Sequence, residues 1–397
     1  MKNLLRPILL YLIVLAILPD SISAQNKEND QDQHFTMIIA SDPQLYWWEW
    51  DEGINCESVS YKNYEIPNVC DSKRLKQKCQ AYPCVKAMAI KTNKWQVKAM
   101  NDIAKNKNKW PKTVALSNEN RILKPVGVIM NGDLVSHGML KFQELRQYKK
   151  YYDNDKGKGK ETVLKLPIFP GLGNHDYKYK GMHNGENKNG TAVDAINYIK
   201  NWKNNPPSIS LGSNPPTIPV IRSDEGSLAY SFEIAGYHFI QLHNNPEYNT
   251  TFSHGKRKKK KKYVIKNSFE WLKNDIQKAN SLGFKIVINM HDYDHKYKTG
   301  NNSDFKDAIM GKNIVAIFAG HIHEKNGRAN YLKPGDGNEI PVFKSGSSEY
   351  NTFLLVDFGP SSMTVGVIER NEEKGNARFK NPENKSKLKT YTFANIK

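Results

Sequence analysis

Five short segments, far apart in the chain, carry residues that bind metals, and four of them follow directly on apolar runs of β type. Asp42 and Gln44 stand in SDPQ after TMIIA, and Asp133 stands in NGD after VGVIM. His291 follows KIVINM, and the pair His321/His323 in GHIH follows IVAIFA; Asn174 with His175 in GNHD is the fifth. A hydrophobic core needs none of these groups. Strands that end in carboxylate, amide and imidazole residues deliver them to one sheet edge, where α/β folds keep their chemistry. Alternate residues of an extended segment point the same way, so Asp42/Gln44 and His321/His323 can each send two side chains into one cleft.

The apolar content of 38% with 11% aromatic residues suffices for a sizeable core in a chain of 397 residues. Lys2 and Arg6, the apolar run Ile8 to Leu18, and Ser21 to Ala24 read as a secretory signal over residues 1–24. That run is too short to span a bilayer, which takes about 20 residues. No later stretch reads as a transmembrane segment, so the expected location is secreted or periplasmic. Cys56, Cys70, Cys79 and Cys84 cluster in an insertion at 45–84. Export and an even count point to two disulfides with the pairing open; the absence of a CxxC pair argues against a zinc knot.

Net charge is +19, or about +18 without the leader. Such a chain is drawn to anionic surfaces, and the run Lys256 to Lys262 offers a grip on an anionic membrane or nucleic acid. A solvated loop rich in lysine is the plain alternative. Sequons at Asn189, Asn249, Asn301 and Asn384 matter only in a glycosylating secretory pathway.

Periodicity predicts strands at 35–40, 126–130, 166–170, 284–290, 313–319, 341–344, 352–358 and 362–369, and a hairpin over 228–242. Helices are expected over 85–106, 138–152, 191–202, 267–282 and 304–311, and most of 178–226 reads as loop. One domain spans 35–359, and strands in 360–397 complete it.

The motifs D-x-(H/Q), GD, GNH(D/E), a lone His after a strand and GHxH, in that order, resemble the calcineurin-like metallophosphoesterases over roughly residues 36–358. The resemblance implies an α/β/α sandwich: two mixed β-sheets flanked by helices, with a dinuclear metal site at the strand ends. It implies a hydrolase in which two divalent ions share a carboxylate and a hydroxide. Asp133 would bridge the ions. Asp42, Gln44 and His323 would complete one site, and Asn174, His291 and His321 the other. His175 would stabilise the transition state or protonate the leaving oxygen, with Asp176 either orienting it or serving as a turn residue. Mixed oxygen and imidazole donors suit manganese, iron or zinc. Gln44 replaces the His of many members, as in a D-P-Q subset, and its amide oxygen is a weaker, harder donor than imidazole. A purple acid phosphatase is disfavoured, because Leu134, Val135 and Ser136, not tyrosine, follow GD.

His137 and His243 are candidate substrate contacts, each with an ordinary structural role as the alternative. Tyr46, Trp47, Trp48 and Trp50 form either a cleft wall or a small satellite core, the latter favoured. The reading is an exported metal-dependent phosphoric ester hydrolase, with a phosphomonoesterase or phosphoprotein phosphatase leading. A phosphodiesterase acting on lipid or nucleotide is the first alternative. A non-catalytic basic surface-binding protein on the same scaffold is the second.

Overall fold

A computed structural model describes residues 34–45, 82–103, 109–114, 121–135, 144–153, 162–177, 190–212, 214–255, 259–297 and 303–393. The leader, the Tyr46–Trp50 cluster, Cys56, Cys70, Cys79, His137, Asn189, Asn301 and Lys256 to Lys258 lie outside these residues; Cys84 falls within the first described helix. No described helix is long and apolar enough to cross a membrane.

Strands β1 (Phe35–Ala40), β2 (Pro125–Met130) and β3 (Ile168–Pro170) run parallel at one side of the first sheet. β13 (Thr352–Phe358) joins β1 antiparallel, and β14 (Ser362–Arg370), β15 (Ala377–Phe379) and β16 (Leu388–Thr392) extend that side. In the second sheet β6 (Tyr237–Gln241), β9 (Lys285–Met290), β10 (Ile314–Ala319) and β12 (Ile340–Ser345) are parallel. β5 (Tyr230–Ile234) pairs antiparallel with β6 and β4 (Arg222–Ser223) with β5, and β11 (Asn326–Leu332) pairs antiparallel with β12. Both sheets are mixed, and among the described residues each has seven strands. Among the same residues β7 (Thr250–His254) and β8 (Lys261–Ile265) pair only with each other.

The two-residue period of β1 shows how the layers form. Phe35, Met37 and Ile39 pack between the sheets, while Ile38 and Ala40 face helices on the outside. The inter-sheet core is closed by stacked aromatics: Phe169 of β3 meets Phe232 of β5 at 4.2 Å between centroids, and Phe232 meets Phe239 of β6 at 5.2 Å. α1 (Tyr82–Ile103), α2 (Glu144–Tyr152) and α4 (Gly190–Asn204) cover the outer face of the first sheet through Val97, Met100, Tyr148 and Ile196. α5 (Phe269–Ser281) and α7 (Ser303–Ile309) cover the second through Leu272, Ile276 and Phe305. The single-turn helices α3 (Asn174–Tyr177) and α6 (Asp294–Tyr297) begin where strands deliver site residues.

The expected sandwich of two mixed sheets between helices is the observed architecture; of the expected helical spans, residues 104–106 and 138–143 lie outside the described residues. The 178–226 region differs: α4 runs two residues beyond the predicted end, and β4 lies within the expected loop. The lysine run also differs, since Lys261 and Lys262 open β8. Cross-strand pairing overrides the poor strand propensity of lysine there.

One polar knot fastens the second sheet to α5. Arg222 donates to Glu233 (2.8 Å) and Asp275 (3.1 Å), and His238 Nε2 lies 2.7 Å from Asp275. Burial alone would raise the Glu233 carboxyl; hydrogen bonds from His238 and Arg222 outweigh it and hold the group down at about 2, from 4.5. A depressed folded value means stability present above the unfolded pKa and lost as pH falls towards 2. Glu233→Gln is therefore expected to lower the urea-unfolding free energy by on the order of 2 kcal/mol at neutral pH, with the gap closing between 4.5 and about 2. A gap constant across that window contradicts the linkage.

Candidate metal centre

The carboxyl ends of β1, β2, β3, β9 and β10 meet at one rim, and each ends in a proposed ligand. Asp42 and Gln44 follow β1, Asp133 follows β2, Asn174 and His175 open α3 after β3, His291 follows β9, and His321 follows β10. Parallel strands from both sheets therefore aim at the same point, although the sheets share no strand. Backbone bonds lock the loops together: Asp42 N donates to Gly132 O, Gln44 N to Asp133 O, and Gly320 N to His291 O.

Motif glycines permit this approach. A Cβ at Gly173 would strike Asp133 Oδ1 and lie 2.6 Å from the Asp133 nitrogen. A Cβ at Gly320 would lie 2.6 Å from the Ser41 side chain and 2.8 Å from Asp42 Oδ2. Strain gathers here too. Asp42, Gln44, Asp133 and His321 have φ of 53°, 41°, 49° and 71°, a conformation that costs a non-glycine residue free energy.

His291 Nδ1 lies 2.8 Å from the Asn131 carbonyl and donates to it, which turns Nε2 towards the cluster. That Nε2 faces Asp133 Oδ2, Asn174 Oδ1 and His321 Nδ1, each at 3.1 Å. His323 repeats the pattern. Its Nδ1 donates to Glu349 Oε2 at 3.0 Å, and its Nε2 faces Asp42 Oδ1 at 3.3 Å and the Gln44 amide at 3.0 Å. Gln44 also lies 3.4 Å from Asp133 Oδ2. Asp42 Oδ1 is buried and accepts no hydrogen bond.

Titration behaviour reports the same field. Burial lowers the His291 imidazole, but the Asp133 and Asp42 charges prevail and hold it up at about 9. Burial likewise opposes protonation of His323, yet the Asp42 and Glu349 carboxylates beside it raise it to about 11. Burial and the nearby His291 charge push His321 down to about 4. Burial would raise the Asp133 carboxyl, and His291 and His175 pull it well below the carboxylate range. The site draws positive charge to its centre. Lone pairs crowd that centre beyond what single protons can satisfy, and a carboxylate, amide and imidazole set around a buried orphan oxygen fits divalent cations. Asp133, His291 and His321 each bring a donor atom within 4.8 Å of the others, and among the described residues Asp292, His295 and His321 do the same.

His175 sits at the mouth with 36% of its side chain exposed, Nε2 3.9 Å from Asp133 Oδ2, and its backbone N–H held by Asp133 Oδ1 at 2.9 Å. Asp176 takes the turn role. Its fully buried carboxyl accepts N–H groups from Gly173 (2.7 Å), Val135 (3.1 Å) and Leu134 (3.2 Å). Burial, then the Asp133 charge, push it up to about 8. His243 is a correction to the substrate-contact expectation. It is buried, accepts from Leu172 N at 3.0 Å through Nδ1, and donates to Leu228 O at 2.8 Å through Nε2. Both ring nitrogens are spent on holding the GNHD loop, while its carbonyl accepts from His291 N.

Several supporting residues escape a reading of motifs. Glu349, Ser345 and Ser348 lie in none of the five segments, and Asn131 opens the NGD segment without a site role assigned to it from sequence. Ser345 Oγ pairs with Ser41 at 2.6 Å, and Ser348 Oγ donates to the carbonyls of Asp42 and Pro43. Their one signal is the SGSSE run following the apolar strand β12, which parallels β10. His295, outside the five segments, packs its ring 4.8 Å from His321 and bonds Asp292. Two cavities of about 660 and 670 Å³ are lined by α2 and α4 residues such as Lys149 and lie apart from these ligands.

A two-sheet α/β sandwich with a metal-type cluster where its parallel strands end defines the class. The family profile for calcineurin-like phosphoesterases matches residues 96–325, and the chain belongs to that family of phosphoric ester hydrolases. No curated protein matches. Among solved structures it is similar to a dimetal phosphatase from Danio rerio, 11% identical over 91% of this chain and 99% of that one, with a TM-score of 0.44. It is also similar to PhoD, 11% identical over 92% of this chain and 72% of that one, with a TM-score of 0.43. A predicted phosphoesterase from Streptococcus pneumoniae is 11% identical over 90% of this chain and 98% of that one, with a TM-score of 0.31.

Asp176→Ala strands three buried N–H groups, so it is expected to cost about 3 kcal/mol or more, read as a lowered urea midpoint. Asp176→Asn, which keeps one acceptor, is expected to recover part of that loss. Unchanged stability with a selective fall in turnover would return Asp176 to the role of orienting His175.

Proposed function

We propose that the chain is a phosphomonoesterase, acting on small monoesters or phosphoproteins, with two divalent ions held by the residues converging on Asp133. The observation that supports this most is the ring of lone-pair atoms around His291 Nε2 beside the orphan Asp42 Oδ1. Asp42, Gln44 and His323 would hold one ion, Asn174, His291 and His321 the other, and Asp133 would reach both. Bound there, the ions lower the pKa of water and neutralise charge on the phosphoryl oxygens. The protein's share is orientation. Asn131 and Glu349 fix the His291 and His323 tautomers, and His243 holds the loop that presents Asn174.

His175 is a half-buried imidazole at the cluster mouth, placed to stabilise the transition state or return a proton to the leaving oxygen. The monoester preference is supported by the D-P-Q arrangement at Asp42 to Gln44. With its amide oxygen in the first site, manganese is the proposed ion, ahead of iron and zinc. Export rests on residues 1–24 and is a proposal of the same standing.

Hydrolysis of p-nitrophenyl phosphate and bis-p-nitrophenyl phosphate with added manganese tests the reading. The monoester is expected to be preferred, with His175→Ala lowering kcat by roughly 10²-fold or more and Asp133→Asn abolishing turnover. Preference for the diester would select a phosphodiesterase. Absence of turnover on both would favour a non-catalytic surface-binding protein.

A further inference from the structure

The β7–β8 hairpin stands outside both main sheets and has two unlike faces. Inward, Phe252 stacks on Tyr263 at 5.3 Å between centroids, and Ile265 is buried in the core beneath α4. Outward, the register pairs Thr251 with Val264 and Ser253 with Lys262. Val264 is 48% exposed, and Lys259 to Lys262 are all exposed. Lys256, Arg257 and Lys258, outside the described residues, precede them in a sequence run of seven consecutive cations. Lys261 lies 5.4 Å from the Tyr263 ring. The inner face carries the hairpin's apolar packing, and beyond Lys261 over the Tyr263 ring the lysine side chains stand exposed.

We propose that this hairpin docks the protein on anionic phospholipid. Charge complementarity argues for an anionic surface. The outward face argues for lipid: it places an apolar Val264 beside Lys262, a pairing suited to the headgroup boundary. A single-stranded nucleic acid would call for exposed rings on which bases stack, and both hairpin aromatics are turned inward against each other. Docking would also carry the proposed metal centre to the surface. The hairpin springs from the loop in which Asn244 O accepts from His291 N and Asp292 N, and Ser268 N closes its base on Pro246 O. The binding proposal stands independently of the hydrolytic reading.

Vesicle co-sedimentation of the full chain tests it, comparing pure phosphatidylcholine with vesicles containing about a third phosphatidylserine in about 0.1 M salt. Binding only to the anionic vesicles is expected. Each lysine near such a surface changes affinity roughly fivefold, so joint replacement of Lys259, Lys260, Lys261 and Lys262 by Gln is expected to weaken binding at least about a hundredfold. Joint replacement of the exposed Lys273, Lys278, Lys374 and Lys385 by Gln removes the same charge elsewhere, and is expected to stay within about threefold. Val264→Ser is expected to weaken the binding that persists at high salt. Equal losses in the two quadruple variants would overturn the proposal, as would no vesicle binding at all. So would tighter, hairpin-dependent binding to a DNA duplex or single strand, which would make nucleic acid the occupant.

Discussion

The structure turns on electrostatic crowding around Asp133. Two carboxylates, two amides and three imidazoles end within a few ångströms of one another at the rim where both sheets stop. Burial makes each of these groups costly unless positive charge is shared among them. The raised protonation of His291 and His323 and the depressed Asp133 carboxyl express one field. Divalent cations satisfy such a field better than protons, because one ion accepts lone pairs from several donors at once.

That crowding has to be supported by the rest of the fold. Left-handed backbone at Asp42, Gln44, Asp133 and His321 is held by hydrogen bonds between loops, and the motif glycines let the loops close on one another. Around them lies a shell of groups whose work is orientation. Glu349 and Asn131 fix ring tautomers, Asp176 gathers three amides, and His243 pins the loop before Asn174. Behind that shell, stacked aromatics hold the sheets in register. The chain thus divides into a rigid sandwich and a strained rim, as expected where strain serves a site.

The sequence made the sandwich legible where apolar runs were long and flanked by polar residues. β1 and β13 appear with their predicted bounds, and β2, β9 and β10 to within one residue. The ligand segments were legible because they terminate these strands. What stayed hidden depends on contacts between distant residues. Asp176 sits in the motif beside His175, and nothing local reveals that its carboxyl points to backbone amides 41 and 42 residues earlier. His243 ends an apolar strand just as the ligands do, yet its ring is spent on Leu172 and Leu228. Glu349 becomes visible only once β12 is known to lie beside β10. The lysines of β8 mask a strand because its partner, and not its own composition, sets its conformation.

The central claim is that Asp133 organises two cations, and counting the ions tests it most directly. The chain is loaded with manganese, desalted and measured by elemental analysis beside Asp133→Asn, with folding of both checked by circular dichroism. Two ions per chain in the wild type and substantial loss of both in the variant is the predicted result. Fewer than one ion in the wild type, or two retained by a folded Asp133→Asn chain, would contradict the account.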